Sequence, residues 1–291
     1  MSGASSSGGS VGPAVEAVAR LAELPGVPEQ VEAAREACTR LRWHQALRRR
    51  IPEAAAESRV RGAAASGELE GASVPVDAVR DIMRGAATWS VSPDPVEVVV
   101  RGVVAATAET ERLAPVVLSA PLQALARLHA AAASGLVEPA LLGRPRLSGE
   151  DCLELADLGA APDGAEVAAR LRGVADVLLA LPRLPVVVAA AVVHAELATV
   201  RPFVRGNAVV ARALDRAIVQ VGGLDPTGVA VTEAGHGAAG GGAAYLGALA
   251  AYGRGDVAGV GLWISHCCTA VRAAADDGER VADAVLAGRL S

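Results

Sequence analysis

The sequence predicts a mostly α-helical fold, and two observations carry that prediction. Aromatic residues make up only 2% of the 291 residues, so alanine, valine, leucine and glycine must fill the core. Small aliphatic side chains of this kind favour close packing of helices over a β-sandwich. Apolar residues also recur at three- and four-residue spacing through most of the chain, whereas strand signals are weak. The length is enough for one domain with a sizeable core.

The predicted elements follow one another along the chain with few breaks. Residues 1–12 are rich in glycine and serine, and we expect a disordered tail there. Helices from Pro13 and from Pro28 to Arg50 form most of an N-terminal helical extension over 13–54. Gly143 to Leu147 is the candidate for a short β-hairpin or extended arm, and Gly235 to Gly242 is predicted as a linker. Further helices are predicted at about 53–66, 75–86, 94–109, 119–134, 164–180, 184–198, 207–221, 243–253, 256–275 and 277–288.

Composition and charge exclude several classes of function. The net charge is −5, which disfavours nucleic acid as a partner. The most apolar stretch, Leu178 to Val193, is interrupted by two prolines and an arginine, so we expect neither a membrane-spanning helix nor a membrane partner. No secretory leader is recognisable, and we expect a cytoplasmic protein. The four cysteines lack zinc-binding spacing and are predicted to be small buried side chains, so no metal site is predicted.

One segment carries most of the chemical information. Arg201 to Arg212 reads RPFVRGNAVVAR and contains the only phenylalanine of the chain, Phe203. It passes from a Pro-Phe turn through Gly206 and Asn207 into an apolar helix. Glycine lets a ligand approach the backbone closely, and a helix N-terminus offers unpaired N–H groups to a phosphate. The residues therefore indicate an anion-binding site.

The same segment resembles the signature of the Fic (Fido-fold) family, H-P-F-x-(D/E)-G-N-G-R-x-x-R. The positions that match are Pro202, Phe203, Gly206, Asn207 and Arg212. The positions that depart are Arg201 in place of the family histidine, Arg205 in place of the acidic residue, Ala208 in place of a glycine and Val209 in place of the first arginine. The resemblance extends over about residues 55–275, which predicts a Fido-type helical domain followed by a C-terminal helix or tail over 276–291.

Two further motifs fit the same family. Ser66 to Gly71 reads SGELEG, which resembles the inhibitory-helix motif (S/T)-x-x-x-E-(G/N) of one class of Fic proteins. LARLHAAA from Leu125, followed by GRPR from Gly143, resembles the Leu-His helix and the start of the flap. In that class the glutamate of the inhibitory helix pairs with the second arginine of the signature. The resemblance therefore implies an inhibitory set of Ser66, Glu70 and Gly71, with Glu70 paired to Arg212.

The resemblance also implies an activity, and the departures predict its loss. Fic enzymes usually transfer AMP from ATP to a hydroxyl side chain of a target protein, so ATP and Mg²⁺ are cofactors by resemblance alone. Arg201 cannot serve as the general base, because a guanidinium does not release its proton in proteins. Arg205 cannot hold Mg²⁺, because it offers only donors. Ala208 places a methyl group where the backbone should approach the phosphate, and Val209 cannot contact the outer phosphates.

Our interpretation is a degenerate AMP-transfer site in a pseudoenzyme that binds an anion, a nucleotide or another protein. The residues expected to bind the anion are Arg201, Phe203, Arg205, Gly206, Asn207 and Arg212. A divergent but active adenylyltransferase, or another transferase of phosphate-containing groups, stays open as the alternative. A third possibility places the function on the N-terminal helices or on the Arg48–Arg50 cluster. The protein partner or target is not identified by the sequence, and a homodimer stays open.

Overall fold

The structure is a computed structural model that describes residues 12–152 and 154–289. Within these ranges the chain forms α-helices joined by short loops and 3-10 turns, and no strand is found there, which confirms the mostly α prediction. The helices are α1 (Pro13–Leu21), α2 (Val27–Arg42), α3 (Ile51–Leu69), α4 (Val76–Met83), α5 (Pro95–Val117), α6 (Pro121–Ala132), α7 (Gly164–Ala180), α8 (Val186–Val200), α9 (Asn207–Val221), α10 (Thr232–Ala238), α11 (Gly241–Gly253) and α12 (Val257–Leu286). The tail predicted for residues 1–12 lies, apart from Gly12, outside the described residues.

Local sequence signals explain where several of these helices begin. Asp94, Asp163 and Asp256 each precede a helix, and their carboxylates accept backbone N–H groups of the first turn of α5, α7 and α12. An aspartate at this position satisfies a donor that the helix itself cannot. Proline occupies the first turn of five of the described α-helices, where its missing N–H costs nothing.

The structure corrects several predicted boundaries. The second helix ends at Arg42 instead of Arg50, and a 3-10 turn over Gln45–Arg48 follows it. The stretch over 143–147 forms no hairpin, although its Arg146 N–H donates to the Pro202 carbonyl at 2.7 Å. The boundaries expected at 54/55 and at 275/276 fall inside α3 and α12, so neither coincides with a break in the helical structure.

The predicted glycine-rich linker is partly helical, because glycine permits a close helix crossing. α10 covers residues 232–238 and packs on α12. A Cβ atom at Gly235 would lie 2.2 Å from the Ala270 carbonyl oxygen, so no larger residue fits there without moving α12. Gly235 therefore serves the packing of α10 on α12.

α8 and α9 form the centre of the core. Eleven of the fifteen residues of α8 and thirteen of the fifteen of α9 are buried. α9 packs on α5, α6, α8 and α10, whereas α12 lies against α2, α8, α10 and α11. The loop that joins α8 to α9, which carries the signature segment, is therefore held at both ends by buried helices.

One described helix, α12, is long and apolar enough to cross a membrane by length and composition alone. Half of its most apolar window is buried inside the fold. A core helix of a globular domain meets the same criteria, and α12 packs on five other described helices, α2, α3, α8, α10 and α11.

Candidate functional site

The signature loop, Arg201–Gly206, connects the end of α8 to the start of α9. Both of its ends have left-handed backbone conformations, with φ of 49° at Arg201 and 82° at Gly206. Gly206 adopts this conformation at no steric cost, whereas the same region costs a side-chain-bearing residue of the order of 1 kcal/mol. The two turns direct the N-terminus of α9, with its unpaired N–H groups, towards the segment that precedes α7.

A carboxylate of the chain itself occupies this helix N-terminus. Glu154 accepts the Gly206 N–H at 2.6 Å and the Asn207 N–H at 3.0 Å. The Asn207 side-chain amide donates a third hydrogen bond to the same carboxylate at 3.0 Å. The positive end of the helix dipole and three donors therefore converge on one anionic group. No sequence pattern pointed to Glu154, which lies about fifty residues upstream in an irregular segment.

Asn207 and Phe203 fix the shape of the signature loop. The Asn207 side chain accepts the Phe203 N–H and donates to the Phe203 carbonyl, both at 2.8 Å. The Phe203 ring stacks on His129 of α6 with ring centroids 3.8 Å apart. His129 donates from Nε2 to the Arg205 carbonyl at 3.1 Å and accepts the Gly143 N–H at Nδ1. Burial lowers the pKa of His129 to about 4, so the ring is neutral at pH 7.

Arg201 is not aimed at the anion position, in contrast to the prediction from the sequence. Its side chain is buried, and its guanidinium donates to the carbonyls of Glu154, Leu155 and Gly159 at 2.8–3.1 Å. The guanidinium N–H groups that an anionic ligand would need are therefore already bound to backbone carbonyls. Arg201 therefore holds the 154–159 segment against the signature loop.

Arg205 lies on the surface beside the same carboxylate. Its side chain is about half exposed, and its Nε lies 3.9 Å from an oxygen of Glu154. Arg205 adds positive charge near the anion position without a fixed bond to it.

The structure brings the predicted Glu70–Arg212 pair together. Arg212 is buried on α9, and its guanidinium donates to the Glu70 carboxylate at 2.5 Å, to the Ser66 hydroxyl at 2.9 Å and to the Ser66 carbonyl at 3.3 Å. Gly71 follows the end of α3 with a φ of 73°. The α3 C-terminus is therefore attached to the middle of α9 by a partly buried ion pair.

The arrangement as built does not fit Mg²⁺ and ATP. The one carboxylate at the α9 N-terminus is Glu154, which already accepts three N–H groups and has a guanidinium beside it. Val209, at the position of the first signature arginine, is buried in the core. The imidazole nearest to the loop, that of His129, uses both ring nitrogens in hydrogen bonds. Among the described residues, the imidazole and the carboxylate beside the α9 N-terminus are thus already bound to other groups of the chain.

A second polar cluster lies deeper in the fold, and the sequence reasoning missed it. His194 of α8, Asp215 of α9 and His236 of α10 are buried together, and we call them the buried triad. Burial lowers the pKa of His194 well below its ordinary value. Next to the triad, Arg216 and Glu233 form a fully buried ion pair at 2.7 Å. From the sequence, each histidine looked isolated, because only the packing of three helices brings them together.

Comparisons with known proteins define the fold. No family model and no curated protein matches the sequence. Solved structures do match: a Fic family protein from Desulfovibrio desulfuricans has a TM-score of 0.62 at 18% identity, over 97% of this chain and 77% of that chain. Fic-1 from C. elegans gives 0.57 at 19% identity over 94% of this chain and 83% of that chain. A Fic domain containing signaling protein from Bacteroides thetaiotaomicron gives 0.59 at 11% identity, covering 87% and 98%.

These likenesses identify the architecture of the chain. It has the Fic (Fido) fold over nearly all of its length. At identities below 20%, the likeness concerns the backbone arrangement, and the chemistry has to be argued from the residues of this chain.

Proposed function

We propose that this protein is a Fic-fold pseudoenzyme that binds an anionic group at the N-terminus of α9 and does not transfer AMP. The observation that supports this most directly is the position of Glu154. Its carboxylate takes two backbone N–H groups and a side-chain amide at 2.6–3.0 Å, the kind of contact that a phosphate makes at such a site. The internal carboxylate indicates that the receptor is formed and that a ligand must compete with Glu154 for it.

The residues around the receptor support the absence of transfer chemistry. A positioned general base contributes roughly 10²–10⁴ in rate, and each lost stabilising donor costs roughly 10²–10³. Arg201 cannot act as a base, and its guanidinium is bound to backbone carbonyls. Val209 carries no charge for the outer phosphates. With these losses combined, AMP transfer falls below the level that a labelling assay detects.

Binding is testable with anions of known chemistry. Inorganic pyrophosphate, ADP and ATP are titrated by calorimetry into the full chain, with and without Mg²⁺, for the wild type and for Glu154→Ala. Removing the competing carboxylate leaves the Gly206 and Asn207 N–H groups free. We therefore expect Glu154→Ala to bind pyrophosphate at least about tenfold more tightly than the wild type, with no requirement for Mg²⁺.

Glu150→Ala is the matched control, because Glu150 lies in the same segment but pairs with Arg144 instead of the α9 N-terminus. It should bind pyrophosphate as the wild type does. Equal binding by Glu154→Ala and the wild type, or no binding by either, would overturn the anion-receptor part of the proposal.

The alternative, a divergent and active adenylyltransferase, is favoured by one observation. Ser66, Glu70 and Arg212 make the contact that the inhibitory-helix resemblance implies. Incubation with ATP labelled on the α-phosphate, in Mg²⁺ or Mn²⁺, tests this for the wild type and for Glu70→Gly. We expect no labelled protein in either sample. Labelling by Glu70→Gly that disappears when Asn207→Ala is added would establish transfer activity and contradict the pseudoenzyme assignment.

A further inference from the structure

The buried triad offers two imidazoles and a carboxylate at one point of the core. One ligand atom from each of His194, Asp215 and His236 lies within 4.8 Å of the others, and all three residues are buried. The anion receptor at the α9 N-terminus uses none of them. We propose that the triad binds one divalent first-row transition-metal ion of the zinc class, and that this ion joins α8, α9 and α10.

His194 provides the first reason. Its Nε2 lies 2.8 Å from the Tyr245 hydroxyl, whereas its Nδ1 is a buried polar atom without a hydrogen-bond partner among the described residues. An unpaired buried polar atom costs about 1–3 kcal/mol, so it calls for a partner. A metal ion held by the triad gives Nδ1 that partner.

Asp215 provides the second and independent reason. It is buried on α9, and among the described residues its ion-pair partner within 4 Å is the His236 imidazole, at 3.4 Å. The neighbouring Arg216 is directed to Glu233, and Arg212 to Glu70, so neither arginine neutralises Asp215 by direct contact. A buried carboxylate is costly unless a cation balances it. A divalent ion at the triad supplies that balance.

In both histidines of the triad, the ring nitrogen that would not bind the metal lies within hydrogen-bonding distance of another side chain. His236 has its Nε2 facing Asp215 and its Nδ1 3.4 Å from Nε2 of His266. His194 has Tyr245 on the ring nitrogen that lies opposite its unpaired one. Such outer partners fix the tautomer and orientation of a ligating imidazole. Trp263 stands beside both rings and donates its own N–H to the Ala191 carbonyl, so that its ring forms an apolar wall on one side of the triad.

The donor set selects the class of metal. Two imidazoles and one carboxylate suit zinc and its first-row neighbours, whereas Mg²⁺ and Ca²⁺ prefer oxygen ligands throughout. In a tetrahedral zinc site the ligand atoms lie roughly 3.4 Å apart. The His236–Asp215 separation already has this value, and a closure of roughly 1–1.5 Å by the third ligand completes the geometry. Water is available as a fourth ligand in sites with three protein ligands.

The first test uses the wild-type full chain without an affinity tag of histidines. The protein is produced in medium supplemented with zinc, dialysed, and analysed for metal by mass spectrometry. We expect close to one zinc per chain and a thermal midpoint that falls when a chelator removes the metal. Cobalt reconstitution should give the visible absorption of a tetrahedral Co²⁺ ion and should quench the fluorescence of Trp263, which stands beside the triad.

Variants distinguish the triad from other histidines. Asp215→Asn keeps the shape of the side chain but removes its charge, and we expect its zinc affinity to fall at least about 100-fold. His129→Gln is the matched control, since His129 is also a buried histidine but stacks on Phe203 away from the triad. It should keep one zinc per chain. His44→Gln likewise tests the surface histidine next to Asp283.

The outcomes that would overturn the proposal are specific. Wild-type protein that carries no zinc and binds no Co²⁺ after reconstitution would make the triad a hydrogen-bonded core cluster only. Zinc that is retained by Asp215→Asn or lost in His44→Gln would place the metal elsewhere on the chain. The zinc content and the cobalt spectrum of the wild type decide whether the chain binds a metal ion. This part of the test therefore does not depend on whether a variant folds.

Discussion

The N-terminus of α9 and its buried face two turns further on differ in how completely their polar groups are paired. At the N-terminus, Glu154 and Asn207 satisfy each other and the backbone at 2.6–3.0 Å. Along the buried face, Asp215 reaches its imidazole partner at only 3.4 Å, and Nδ1 of His194 has no partner among the described residues. Both regions are polar, and α9 contributes residues to both.

This difference distinguishes a loop whose polar groups pair with one another from a cluster in which a polar group lacks a partner. A buried polar group without a partner is expensive, so groups that the chain itself has paired need no ligand to be stable. The signature loop belongs to the first kind, because Arg201, Glu154 and Asn207 hold it together without any ligand. The buried triad belongs to the second kind. The signature loop, which resembles a family motif, therefore has its polar groups paired. The buried triad, which resembles no motif, contains a polar atom without a partner among the described residues.

We expect the largest effect on the free energy of unfolding at the buried ion pair between Arg216 of α9 and Glu233 of α10. Glu233 and Arg216 are both almost completely buried, and Arg216 also donates to Ser58 of α3. Glu233→Gln leaves the guanidinium without its counter-charge, and we expect a loss of about 3–5 kcal/mol in the free energy of unfolding, measured in urea at pH 7. Glu32→Gln removes an exposed partner of Arg35 and should leave the midpoint unchanged. If Glu233→Gln and Glu32→Gln lowered the free energy of unfolding equally, burial would not decide how much an ion pair contributes to stability.

A somewhat smaller effect concerns the pH dependence of the signature loop. Burial lowers the pKa of His129 to about 4 in the folded protein, against about 6.5 for an exposed histidine. The unfolded chain therefore binds this proton more readily between these values. The resulting stability is complete above about pH 6.5 and is lost as the pH falls to about 4, by about 3 kcal/mol in total.

His129→Gln isolates this contribution, because glutamine does not titrate. Urea unfolding of the wild type and of His129→Gln is measured at intervals between pH 8 and pH 4. The difference between the two should be constant above about pH 6.5 and should shrink by about 3 kcal/mol towards pH 4. Carboxylates titrate in both proteins and cancel in the difference. A constant difference over the whole range would mean that His129 has the same pKa in the folded and the unfolded protein.

Much of the fold was predictable because its signals are local. The predicted helices over about 164–180 and 207–221 coincide with α7 and α9. Asp163 and Gly206 mark these starts in the sequence, the first by its capping carboxylate and the second by a left-handed turn. The break expected near residue 276 was wrong, because α12 continues past Asp276 and Asp277, of which Asp276 is exposed and Asp277 pairs with Arg280. A pair of charges marks exposure and does not by itself end a helix.

The candidate site was less predictable, because its contacts are distant in the chain. Glu70 and Arg212 were expected to meet only through the family resemblance, and they do meet. Glu154 carries no local pattern, and its role depends on a loop that Arg201 anchors from the other side. The histidines of the buried triad lie on different helices, so no spacing rule connects them. Side chains that one element contributes are readable from sequence, whereas a site assembled from several elements is not.

The two arginines of the signature loop, Arg201 and Arg205, give the smallest expected effects on stability and the sharpest contrast. Arg201 is buried and donates to three carbonyls of the 154–159 segment, whereas the Arg205 side chain is about half exposed. Arg201→Gln cannot reach all of these acceptors, and we expect it to lower the free energy of unfolding by about 2–3 kcal/mol. Arg205→Gln should change it by less than about 0.5 kcal/mol.

Hydrogen exchange shows in which part of the chain each arginine substitution reduces stability. With Arg201→Gln, amides of residues 154–159 should exchange faster, because the segment loses its attachment to the signature loop, while α12 keeps its protection. Arg205→Gln should leave both regions as they are in the wild type. If Arg205→Gln destabilised the protein as much as Arg201→Gln, the exposed arginine would hold Glu154 in place. The signature loop would then depend on a surface ion pair instead of on the buried carbonyl contacts.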